Sequence, residues 1–81
     1  MPPITKEKLE AALKALSESE DYGKILRSKG MIESADVKGE WYYFDMVPGE
    51  YEIRNGAPEY TGKVCVIGAE LKEAEIKKLF I

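Results

Sequence analysis

The stretches Ile25-Leu26-Arg27-Ser28-Lys29-Gly30-Met31-Ile32, Trp41-Tyr42-Tyr43-Phe44-Asp45-Met46-Val47-Pro48-Gly49-Glu50-Tyr51-Glu52-Ile53-Arg54 and Lys63-Val64-Cys65-Val66-Ile67-Gly68 decide the fold. They are rich in the β-branched and aromatic side chains that suit a pleated surface, and turn-forming residues separate them. The spacing predicts four strands, over residues 24–34, 40–47, 51–54 and 63–68. Asp36-Val37-Lys38-Gly39 makes the first turn. Pro48-Gly49 makes the second; L-Pro before Gly favours a type II turn, whose twist suits a hairpin poorly, so a connection wider than two residues is expected. Asn55-Gly56-Ala57-Pro58 and Thr61-Gly62 bracket a loop before the fourth strand.

Helices flank this block. Thr5 is a good N-cap, with Glu7 in the positive first turn behind it. Leu9, Ala12, Leu13 and Leu16 follow at i, i+3, i+4 and i+7, an apolar stripe on a charged helix over residues 6–18. The pattern ends in Ser17-Glu18-Ser19-Glu20-Asp21, and Gly23 closes the connection. A last helix is expected over residues 73–80. Lys72 is a poor cap there, but Leu71 and Ile76 are spaced as a hydrophobic staple. The order α-β-β-β-β-α predicts an α+β domain: a four-stranded, mainly antiparallel sheet with both helices on one face.

Strand alternation then sorts the side chains. Tyr42, Phe44 and Met46 share one face, joined by Tyr51, Ile53, Val64, Val66, Leu26 and Ile32. The other face carries Ile25, Met31, Trp41, Tyr43, Val47, Cys65 and Ile67, mixed with Arg27, Lys29, Asp45, Glu52 and Arg54. Two short helices cover one face only, so the second is more apolar than a solvated antiparallel sheet usually is. It is expected to dock on another domain or copy, through Arg27, Lys29, Met31, Trp41, Tyr43, Asp45 and Ile67. The competing reading is that single exposed aromatics are ordinary on strands. Arg27 and Lys29 either pair with Asp45 and Glu52 across strands or meet an acidic group or phosphate of a partner. Gly30 in mid-strand signals a bulge or a close approach by another backbone.

Composition removes several function classes. Eighty-one residues make one small domain, of ordinary hydrophobic content at 44%. A net charge of -3 and a pI near 5.0 argue against nucleic acid as the main partner. No apolar run approaches the roughly 20 residues of a membrane span, and the N-terminus lacks the apolar segment of a signal peptide. The single cysteine, Cys65, fits a reducing cytoplasm. There is no histidine, which removes the commonest general base and transition-metal ligand together.

Nothing in the chain spells catalysis. Gly23-Lys24 and Gly62-Lys63 are followed by Ile and Val, so there is no P-loop, and no dinucleotide-binding glycine pattern occurs. Cys65 without histidine or a second cysteine is no zinc site and reads as a buried strand residue. The carboxylates around Glu18 to Asp21 and at Glu70, Glu73 and Glu75 lack the spacing of a calcium loop. No catalytic, cofactor-binding or metal-ligating residue is assigned.

Leu26-Arg27-Ser28-Lys29-Gly30, an aromatic strand containing Trp41, and Val66-Ile67-Gly68 followed by Leu71 and Leu79-Phe80 resemble the C-terminal domain of CobW-type GTPases, from about Pro3 to Phe80. Two departures stand out. Lys72 replaces the family's helix-starting Asp, and the family's opening strand would end at or before the first residue here. The resemblance implies a fragment of a longer chain or a variant lacking that strand, with an unpaired sheet edge. Residues 1–81 are then a single accessory, non-catalytic domain of a cytoplasmic, GTP-dependent metallochaperone linked to cobalamin biosynthesis or metal homeostasis. GTP and a divalent metal are implied for the parent, not for these residues. The partners implied are the GTPase domain, a metal-receiving client or a second copy, without nucleic acid or membrane. A self-contained small-molecule or metal-binding module is the competing expectation.

Overall fold

Thr5 starts the first regular element, its hydroxyl accepting the Lys8 backbone N–H at 3.1 Å. Asp36 reaches the same helix start from 30 positions away, accepting the Lys6 N–H at 2.7 Å. A computed structural model describes residues 1–81 as α1 (Lys6–Glu18), β1 (Lys24–Glu33), β2 (Trp41–Val47), β3 (Glu50–Gly56), β4 (Lys63–Ala69) and α2 (Glu73–Leu79). These elements and their order match the expected α-β-β-β-β-α arrangement. The sheet is antiparallel throughout, in the order β3-β2-β1-β4.

Both helices pack on the same face. Leu9, Ala12, Leu13 and Leu16 of α1 and Ile76 of α2 form one buried cluster with Ile32, Tyr42, Phe44 and Met46, and Phe80 stacks on Phe44 with ring centroids 6.0 Å apart. Leu71 packs at the cluster's edge beside Ile76, as a staple would. Lys72 gives α2 no side-chain cap; its backbone N–H bonds the Tyr22 carbonyl instead, at 3.1 Å. Ile4 makes a single parallel bridge to Ser34, which brings the segment before α1 to the sheet.

Three details of the strands follow from the pairing. A bulge lies between Ile25 and Arg27: Ile25 pairs with Gly68 and Arg27 with Ile67, leaving Leu26 as an extra residue. The faces therefore exchange at that point. Ile25, expected on the outer face, is buried in the core, whereas Leu26, expected inside, is 63% exposed. Second, Gly30 is not itself a bulge; the close approach explains it. A Cβ there would strike the Lys63 carbonyl and the Phe44 ring. Third, Pro48-Gly49 is a two-residue connection after all, since Val47 pairs with Glu50. Gly49 supplies the positive φ, +83°, that the second corner of a type II turn needs. Seven consecutive cross-strand pairs, from Trp41–Gly56 to Val47–Glu50, hold this hairpin closed despite the unfavourable twist of its turn.

The two sheet edges are unlike. β3 presents Glu50, Glu52 and Arg54, the charges that usually blunt an edge, whereas β4 presents Val64-Cys65-Val66-Ile67 behind a single Lys63. Cys65, read from sequence as a buried strand residue, is exposed there, because β4 is an edge strand and Cys65 points away from the helices.

Candidate interaction surface

The face opposite the helices is built by register. Because Tyr42, Phe44 and Met46 point into the core, Trp41, Tyr43, Asp45 and Val47 point out. Pairing then sets the rows. Arg54, Tyr43, Met31 and Lys63 lie side by side across β3, β2, β1 and β4; Glu52, Asp45, Lys29 and Cys65 form the next row; Arg27 faces Ile67 in the third. All seven residues expected on this face, Arg27, Lys29, Met31, Trp41, Tyr43, Asp45 and Ile67, are thus on it.

Their individual environments separate them. Arg27 grips Asp45 with two hydrogen bonds, Nε to Oδ1 at 3.2 Å and Nη2 to Oδ2 at 2.8 Å. That pair holds the Asp45 carboxyl below the usual carboxylate range, with smaller help from the Lys29 and Arg54 charges, and holds the Arg27 guanidinium above its own. Arg27 is exposed and Asp45 only half-buried, so the pair orients side chains more than it stabilises the fold. Tyr43 is committed locally. Its ring lies over Gly56, where any Cβ would collide with it, and its hydroxyl donates to the Ala57 carbonyl at 2.6 Å. Trp41 is only 7% exposed and lies outside the helix-side cluster, so it is no lone aromatic in solvent. Lys29 and Lys63 stand in no ion pair; those present are Arg27–Asp45, Arg54–Glu52 and Lys78–Glu75.

Alternation could not have found the most exposed apolar residue of this region. That residue, Leu26, lines a groove at the end of the sheet beside the C-terminal turn of α1, with Leu16, Glu18, Glu20, Pro48 and Glu70, while Val47 (41% exposed) and Ile67 (52% exposed) stay on the outer face. Lys63 was legible only through its pairing with Met31, which composition does not reveal. No group of three or more cysteine, aspartate and glutamate side chains converges in a metal-holding arrangement.

The model of the cobalamin synthesis protein cobW C-terminal domain matches residues 2–81. The chain belongs to this cobW C-terminal domain family. The crystal structure of the Zn(II)-bound YjiA GTPase from E. coli superposes with a TM-score of 0.75 at 24% identity, over 96% of this chain and 25% of that one. A Zn(II)-bound triple mutant of YjiA gives the same values. At that identity the likeness is one of fold, and this cobW C-terminal domain spans about a quarter of the length of the GTPase chains it matches. No curated protein sequence matches it.

Proposed function

We propose that this chain is a non-catalytic accessory domain of a CobW-like, GTP-dependent metallochaperone serving cobalamin biosynthesis or metal homeostasis in the cytoplasm, and that its outer sheet face docks on the GTPase domain. The observation that carries the reading is the uncovered face itself: two helices close one side of the sheet, and the other keeps Val47 and Ile67 exposed beside Met31 and the Arg27–Asp45 pair. A face of this kind gains from being covered, and the family together with the likeness in fold to the YjiA GTPase supports a GTPase domain as the cover. A metal-receiving client and a second copy are the other occupants under test. GTP and metal are handled, in this reading, by residues outside the chain.

Isothermal titration against the GTPase domain of a family member, loaded with GTP or GDP, tests it. Saturable binding that differs between the two nucleotides is expected. Absence of binding in both states, with the chain folded, overturns the reading. A ligand-binding module is the competing function, and one observation favours it: a groove of about 500 Å³ between β4 and α2, lined by Val64, Val66, Leu71, Ile76 and Phe80. A thermal-shift screen with apolar small molecules and divalent metals separates the two, because specific binding raises Tm by mass action.

A further inference from the structure

The rows of the outer face gather charge unevenly. A shallow depression of about 410 Å³ there is lined by Arg27, Lys29, Arg54 and Lys63 with Asp45 as its one carboxylate, in a chain whose net charge is -3. Arg27 is taken up by Asp45 and Arg54 by Glu52, so Lys29 and Lys63 are the cations of this depression that stand in no ion pair. Lys29 pairs with Cys65 and Lys63 with Met31, which makes the two lysines diagonal neighbours, with Cα atoms roughly 7–8 Å apart. Two cations at that spacing repel each other, and an anion seated between them removes the repulsion. Ile67 lies exposed farther along β4, opposite Arg27.

We infer that the β1–β4 half of the outer face is a docking site for an acidic protein segment, its carboxylates on Lys29 and Lys63 and an apolar side chain beside Met31 and Ile67. This deepens the accessory-domain reading and rests on it for the choice of a protein partner. The chemistry of the site favours a polypeptide over a free phosphate. The two ammonium groups stand on an open strand surface, with no helix N-terminus or cluster of backbone N–H groups at hand to enclose an anion. The neighbouring apolar side chains, Met31 and Ile67, suit a partner that carries apolar groups as well.

The test uses the isotope-labelled chain, an acetyl-Glu-Glu-Leu-Glu-Glu-Leu-amide peptide and NMR titration. Amide shifts are expected to concentrate at Lys29, Met31, Lys63, Cys65 and Ile67. Affinity should fall as NaCl rises from about 50 to about 300 mM, because the screening length shrinks from about 14 Å to about 6 Å over that range. The Lys29→Glu/Lys63→Glu variant should bind about tenfold more weakly, while Lys14→Glu/Lys72→Glu, with the same change in net charge, binds as the parent does. Equal response to the Gln-for-Glu peptide, shifts spread over all lysines, unchanged binding by Lys29→Glu/Lys63→Glu, or the same map from inorganic phosphate would each overturn the inference. A GTPase domain that binds the Lys29→Glu/Lys63→Glu variant undiminished removes this inference and leaves the accessory-domain reading standing. Peptide binding as described, with no binding of the GTPase domain, does the reverse.

Discussion

Two side chains carry the sharpest residue-scale consequences. Ser28 is 1% exposed on the core face and its hydroxyl has no hydrogen-bond partner. An unpaired buried hydroxyl costs on the order of 1–3 kcal/mol, so Ser28→Ala is expected to be neutral or to raise Tm, as a thermal melt by circular dichroism would read; a clear drop would show that Ser28 is satisfied in solution. Asp36 works in the opposite sense. It accepts hydrogen bonds from the Tyr42 hydroxyl and the Lys6 N–H, and these, the hydroxyl first, hold its pKa below the ordinary carboxylate value. A carboxylate with a lowered folded pKa contributes stability that is present above its unfolded pKa, near 4, and is lost as pH falls through the folded pKa. Asp36→Asn should lower Tm at pH 7 and flatten the loss of Tm below about pH 4, by comparison of melts at both ends of that range. Tyr42→Phe should do part of the same, since Lys6 would still hold the carboxylate.

At the scale of elements the bulge in β1 decides which leucine or isoleucine matters. Ile25→Ala should destabilise by about 2–4 kcal/mol because it empties a core position, whereas Leu26→Ser should change stability by less than about 0.5 kcal/mol. Strict alternation gives the reverse order, so chemical denaturation of the two variants tests the bulge directly. The episode also marks what the sequence could convey. Helix α1 was fully legible because its apolar period, its Thr5 cap and its acidic tail agree on one answer. The strands were legible to within a few residues, as were the charges of the outer face, since period 2 fixes a side chain's face once the register is regular. One inserted residue defeats that logic, and neither Lys24-Ile25-Leu26 nor Val66-Ile67-Gly68 contains a signal for it. The Asp36 latch onto α1 was invisible for another reason: it joins residues 30 positions apart, and local patterns do not report such contacts.

For the whole molecule, the question is how a domain this small keeps one sheet face uncovered. The helix-side cluster is continuous from Ile4 to Phe80, so the fold does not depend on what covers the other side. Substitution of the exposed apolar residues should therefore separate folding from association. Ile67→Asp is expected to leave Tm within a few degrees of the parent chain. The same variant should weaken binding to the GTPase domain by tenfold or more, read by titration calorimetry. If both properties fell together, the face would be part of the fold and not a surface held ready for a partner.

The unlike edges of the sheet set a limit on assembly by strand addition. Glu50, Glu52 and Arg54 make β3 a terminus, while the apolar β4 is a point where one further strand can be received. Addition at β4 therefore stops after one event. Two such domains meeting β4 to β4 would bury both receptive edges and leave charged ones outward, a closed pair with no route to a fibre.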